Sequence, residues 1–243
     1  MQRRLGSFVK ARRAVRAIGF VGVLALAGLP IAAPAMAADC KASPAASVDW
    51  QDCNKSRLMI SGSALEGANM TSADLSYTDL RNSNLGGAKF EKATLFRAAL
   101  DGSKADKADF SRIEGYRTTF AGASAQGASF LSAELQRADF TGANLTGADF
   151  QKAELGRANF ADAVITGSKF ALANLARARL SDARFDGPLD FSGAFLFLAR
   201  IDGVDLSQAT GLEQWQIDQA CGDAKTKLPG GLTASASWPC DSE

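Results

Sequence analysis

The large apolar residues of this 243-residue chain fall on a five-residue beat. Counting from Ile60, it strikes Leu65, Met70, Leu75, Leu80, Leu85, Phe90, Leu95 and Leu100, then Phe110, Phe120 and Phe130, and then every fifth residue from Leu135 to Phe185. Two positions ahead of most of these stands a small residue, as at Ala68, Ala73, Ala88, Ala138 and Ala158. A helix repeats its faces every 3.6 residues and a strand every two, so either would scatter a strict period of five around its surface. The beat therefore predicts a stacked repeat in which each unit leans on its neighbours.

The residues around each beat read A-[D/N]-[L/F]-x-x, most clearly in Ala138-Asp139-Phe140-Thr141-Gly142-Ala143-Asn144-Leu145-Thr146-Gly147. In this, residues 58–210 resemble the pentapeptide-repeat family. The resemblance implies an all-β fold, a right-handed quadrilateral parallel β-helix. Each pentad would make one side, four would close a coil, and the central Leu or Phe and the Ala two before it would point inward. Stacked at about 4.8 Å, such coils predict a rod roughly 35 Å long. Ala105, Gly115 and Ala125 stand where a large residue belongs, and Ile113 replaces the small residue before Gly115, so a larger neighbour is expected to fill that gap. After Phe185 the register slips by one and resumes at Phe191, Leu196, Ile201 and Leu206, with Asp186-Gly187-Pro188 forming a corner bulge.

The first 37 residues follow a different plan. Arg3, Arg4, Lys10, Arg12, Arg13 and Arg16 precede an apolar run from Ala17 to Leu29, Pro30 and the motif Ala35-Met36-Ala37. That order predicts a signal peptide over residues 1–37, its apolar run too short for a membrane span, cleaved near Ala37. The mature protein is expected in the periplasm or secreted. Asp39 stands where a lipid-attachment site before Cys40 would need a small residue, which argues against lipidation. The leader holds six basic and no acidic residues, so the 27 basic and 26 acidic residues of the whole chain become 21 and 26, a net charge of −5. This mild acidity favours solubility and speaks against nucleic acid as a partner.

Two short segments flank the repeats, an N-terminal cap over residues 38–57 and a C-terminal cap over 211–243. Each carries two of the four cysteines, Cys40 and Cys53 before the repeats and Cys221 and Cys240 after them. Across a rod of the implied length only pairs at the same end can come within the ~7 Å that a disulfide allows, which predicts Cys40–Cys53 and Cys221–Cys240. Export makes both plausible; the competing readings, free thiols or a metal site, lack histidine and close C-x-x-C spacing. Residues 212–220 read as a short amphipathic helix covering the last coil, with Thr210 near its start and Gly222 beyond its end.

Residues twenty apart stack in neighbouring coils. That places Arg97, Arg117, Arg137, Arg157 and Arg177 in one outward column behind Tyr77, with Glu114, Glu134 and Glu154 on the same side and Phe90, Phe110, Phe130, Phe150 and Phe170 stacked inside. The arginine column reads either as a solvated structural edge or as a binding site for an anionic polymer or an acidic partner surface. Phe195, Phe197 and Leu198 project outward around Leu196, either covered by the helix near Trp215 or forming a protein contact such as a homodimer interface.

With no histidine, His-based acid–base and Ser-His-Asp or Cys-His chemistry is excluded, and a regular five-residue coil leaves little room for a pocket. No catalytic residue, cofactor or metal is predicted. The resemblance also implies an alternative, since family members of quinolone resistance mimic duplex DNA and bind DNA gyrase. That role asks for a cytoplasmic, dimeric, strongly acidic rod. The leading expectation is a non-catalytic scaffold or protein-interaction rod outside the cytoplasm.

Overall fold

The computed structural model describes residues 38–240; the leader expected over 1–37 lies outside them. Every side of the coil is built from one local unit, seen clearly at residues 139–143. The Ala143 N–H donates to the Phe140 carbonyl at 3.0 Å, closing a four-residue turn whose third residue, Gly142, has φ +65°. That is the requirement of a type II turn.

The other N–H groups of the unit leave it. Asp139 donates to Thr118 in the coil before, while Phe140 and Gly142 donate to Asn159 and Ala161 in the coil after. The Thr141 N–H donates to the Asp139 carboxylate at 3.0 Å. Asp74, Asp109, Asn144, Asp149 and Asn174 accept from the second residue onward in the same way. Where a pentad carries Asp or Asn at this position, its side chain thus satisfies the one donor that neither the turn nor the neighbouring coils take.

Parallel bridges twenty residues apart join the coils, as from Asp49 to Asn69 to Lys89 and on to Lys169. Between 169 and 190 the interval becomes twenty-one, and the extra residue is absorbed around Gly187 at φ +109°. The rungs continue through Asp190 to Thr210, eight steps from Asp49, or about 38 Å at the usual spacing of strands.

Inside run two aromatic ladders. Phe90, Phe110, Phe130, Phe150, Phe170 and Phe191 stack with ring centroids 4.7 to 5.4 Å apart. A second ladder of Phe120, Phe140 and Phe160 stacks on the opposite side at 5.0 to 5.1 Å. The ladders meet edge-on, Phe130 lying 5.6 Å from both Phe120 and Phe140 at 89° and 84°. Each such pair adds roughly 0.5–1.5 kcal/mol to simple burial. Three of the inward small residues that are polar, Thr78, Thr118 and Ser168, donate to the carbonyls of Lys55, Leu95 and Leu145, whereas the buried Ser103 hydroxyl has no partner among the described residues.

The ends depart from expectation. The first coil begins near residue 49 and not at 58, because Asp49 and Asn54 already bridge to Asn69 and Asp74. Trp50 and Lys55 hold the inward positions of its first two sides. Lys55 is only 7% exposed; its Nζ lies 4.0 Å over the Trp50 ring and donates to the carbonyls of Cys40 (2.8 Å) and Ala42 (3.3 Å). A lysine thus closes the open end of the core, its stem packed and its charge turned to carbonyls. Burial pulls its pKa below the ordinary lysine value, opposed by the charge of Asp39.

At the other end Cys221 and Lys227 still bridge to Arg200 and Asp205, so the ladder continues into the cap. Helix α1 spans Gln214–Gln219, shorter than expected, and its capping box is formed by Glu213 and Gln216, not by Thr210. The Gln216 side chain is buried and donates to the carbonyls of Phe191 and Ala194 at 3.0 and 2.8 Å, which tethers α1 to the last coil. Disulfides Cys40–Cys53 and Cys221–Cys240, each with Cα atoms 5.4 Å apart, fasten the two caps.

Candidate functional site: the arginine edge

The outward corner residue of each turn is the one held at positive φ. None of these positions from 47 to 182 is Val, Ile or Thr, the side chains that the left-handed region tolerates least. Arg97, Arg117, Arg137, Arg157 and Arg177 occupy this position on one corner, at φ +51° to +60°. Arg57 and Tyr77 stand in the same column, so the edge reaches the first coil. Arg57 was missed in the sequence because the repeats were begun one residue after it.

Toward the N-terminal end the edge is lined by rings. Tyr77 meets Phe96 edge-on at 5.4 Å, and Phe96 stacks on Tyr116 at 5.7 Å. Three guanidinium groups lie over these rings: Arg57 over Tyr77, Arg97 over Phe96 and Arg117 over Tyr116, at 5.4 to 5.7 Å. Among the described residues Arg57, Arg97, Arg117, Arg137 and Arg157 are exposed, while ion pairs such as Arg81–Asp79, Arg112–Glu91 and Arg200–Asp202 form on other columns.

Glu114, Glu134 and Glu154 form the exposed bridge column of the same face. Between the glutamates and the arginines runs a column without charge, Phe96, Tyr116, Gln136, Gly156 and Ala176. Glu114, Glu134, the two rings and Gln136 line a shallow groove of about 390 Å³.

Phe195 and Phe197 lie on this face at its C-terminal end, their rings 6.1 Å apart and nearly parallel. They are 41% and 43% exposed, and Trp215 is 42% exposed. The cap helix therefore does not cover them: α1 turns Gln216 and Ile217 inward, while the Trp215 indole N–H donates to Glu213. Leu198 is half-buried, its N–H donating to the Gln219 carbonyl. Among the described residues no group of three or more His, Cys, Asp or Glu is placed to hold a metal ion, and no helix is long and apolar enough to cross a membrane.

Two pentapeptide-repeat sequence models match the chain, over residues 59–87, 73–112 and 116–151 in one case and 150–194 in the other, together more than half of the 243 residues. No curated protein matches the sequence closely enough to count as a relative. Among solved structures, a trypsin-treated form of QnrB1, a plasmid-mediated fluoroquinolone resistance protein, is similar with a TM-score of 0.51 at 22% identity, over 78% of this chain and 93% of that one. HetL, a pentapeptide repeat protein involved in heterocyst differentiation regulation in the cyanobacterium Nostoc, aligns at 21% identity over 79% of this chain and 87% of its own, with a TM-score of 0.31. A pentapeptide repeat protein of the Arabidopsis thaliana thylakoid lumen aligns at 24% identity over 63% and 80%, with a TM-score of 0.19. With its repeated turn, four-sided parallel ladder and matched residues, the chain belongs to the pentapeptide-repeat family of right-handed quadrilateral β-helices, which are non-catalytic proteins.

Proposed function

We propose that the protein works outside the cytoplasm as an interaction rod, presenting a partner with the face bounded by the arginine edge. The observation that carries the export half of this reading is the pair of disulfides, one at each end, with no free cysteine among the described residues. Structural disulfides persist in oxidising compartments and are rare in the cytosol. The leader sequence points the same way. Stability along the rod is a sum over neighbouring coils, so the ends, where a coil has one neighbour, are where a covalent clasp acts most.

The likeness to QnrB1 is one of fold and does not favour the DNA-mimic alternative. A duplex mimic presents acidic columns, whereas the most regular charged column here is basic.

The reading is tested by photo-crosslinking in the native host. A photoreactive residue at Gln136, on the arginine face, is compared with one at Thr146, on another side of the coil. A discrete envelope adduct from position 136 and none from 146 is the expected result. Equal adducts from both positions, or an adduct with cytoplasmic DNA gyrase, overturn the reading.

A further inference from the structure

The same backbone turn is built from different residues at different corners. One corner carries Gly67, Gly87, Gly127, Gly147 and Gly167 at φ +62° to +69°, a conformation glycine takes freely. On the arginine corner no position from 57 to 177 is glycine, and arginine after arginine is held in the left-handed region, which strains an L-residue. From Arg97 to Arg177 like charges recur there at every coil, about 4.8 Å apart at the backbone. Glycine would relieve both the strain and the repulsion; the rings beside Arg57, Arg97 and Arg117 offset part of that cost, but Arg137 and Arg157 have Gln136 and Gly156 beside them in place of a ring, so stability does not account for those two.

We propose that the arginine corner binds a linear polyanion, an acidic polysaccharide with a carboxylate on every sugar, laid lengthwise along the rod. The proposal rests on the reading of the protein as an exported interaction rod and names the partner of that face. The guanidinium fork donates two parallel hydrogen bonds to a carboxylate, and an extended chain of acidic sugars carries many carboxylates along its length to meet a lengthwise row of arginines. Beside the arginines, the uncharged column offers the half-exposed rims of the stacked Phe96 and Tyr116 rings and the amide of Gln136 to the C–H groups and hydroxyls of a sugar. Glu114 and Glu134 stand one column further away and repel a polyanion that strays from the corner. Duplex nucleic acid fits poorly, because its phosphates, about 3.4 Å apart along the helix axis on each strand, wind around the duplex and present no straight row to a straight column of arginines.

The test uses the processed protein purified from its host, with both disulfides intact, on immobilised polygalacturonate, dextran and oligodeoxythymidylate. The expected result is retention on polygalacturonate that weakens with salt, and flow through dextran. The triple variant Arg117→Gly, Arg137→Gly, Arg157→Gly is expected to bind polygalacturonate roughly tenfold more weakly or worse. Because glycine suits those turns, its melting temperature should equal or exceed that of the parent. Removing the same charge elsewhere, by Lys89→Gln, Lys104→Gln and Lys169→Gln, should change retention by less than the triple glycine variant does. No retention on polygalacturonate, unchanged retention of the folded triple glycine variant, equal loss in the lysine variant, or tighter binding to the oligonucleotide each overturns the proposal. Binding is read on purified protein and compartment by crosslinking in cells, so the two claims fail separately.

Discussion

Ile113 fills the space that Gly115 leaves. A Cβ on Gly115 would stand 3.3 Å from Ile113 Cδ1, 2.9 Å from Leu135 Cδ2 and 3.1 Å from Thr118 Oγ1. Two departures from the repeat, a large residue where a small one belongs and glycine where a large one belongs, are one compensated packing arrangement. Restoring the repeat by Gly115→Leu alone is therefore expected to destabilise the protein by about 1–3 kcal/mol through overpacking. Adding Ile113→Ala should recover much of the loss. Chemical denaturation of both singles and the double gives the coupling, and additive effects would refute the compensation.

The arginine corner makes a second prediction, about stability alone. At φ +59°, Arg137→Gly should leave stability unchanged or raise it by up to about 1 kcal/mol. Arg137→Val should lower it by roughly 1–3 kcal/mol, because a β-branched residue is poorly tolerated there. Thermal melts of the two variants should lie on opposite sides of the parent or, at least, clearly apart in that order.

Much of this was legible in the sequence, and the failures have specific causes. The beat of five fixes which residues face inward because every turn has the same length, and the slip at Asp186-Gly187-Pro188 is visible because it is a single residue. The beat also runs back through Lys55 and Trp50, but a lysine at an inward position hides it. Only at the open end of the core can its Nζ find the carbonyls of Cys40 and Ala42, and Arg57 was lost with that boundary. The second ladder of Phe120, Phe140 and Phe160 follows from the twenty-residue interval, whereas its edge-on meeting with the first depends on the width of the coil. That Phe195 and Phe197 project outward follows from the beat, but whether the cap covers them does not, since it depends on which face of a six-residue helix turns inward.

Breaking the C-terminal clasp should loosen the cap without unfolding the rod. Trp238 packs on Gly222, beside Cys221, and its indole N–H donates to the Ala220 carbonyl at 2.6 Å. The Cys221–Cys240 link spans 19 residues, for which the loss of loop constraint is about 3 kcal/mol. Cys221→Ser with Cys240→Ser is expected to red-shift tryptophan emission and speed amide exchange around residues 214–227. Amides near Phe130 should keep the parent's protection; a uniform loss would contradict stability that is local to neighbouring coils.

Lys55 gives the N-terminal end a pH dependence. In the unfolded chain the proton is held to about 10.5, while in the folded protein burial lowers that value. Between the lowered value and 10.5 the unfolded chain binds more protons, so this group makes stability rise with pH in that window. Urea melts between pH 8 and about 10.5 should show the rise in the parent relative to Lys55→Met. Parallel curves for the two proteins would contradict it.

As proposed above, the protein is an exported rod whose ends are locked by oxidation. The most direct test traps thiols in intact cells of the native host with a maleimide reagent, then measures the mass and compartment of the chain. The expected result is a chain beginning near residue 38, in the envelope or the medium, with all four cysteines unreactive until a reductant is added. A full-length chain in the cytoplasm with four reactive thiols would contradict it.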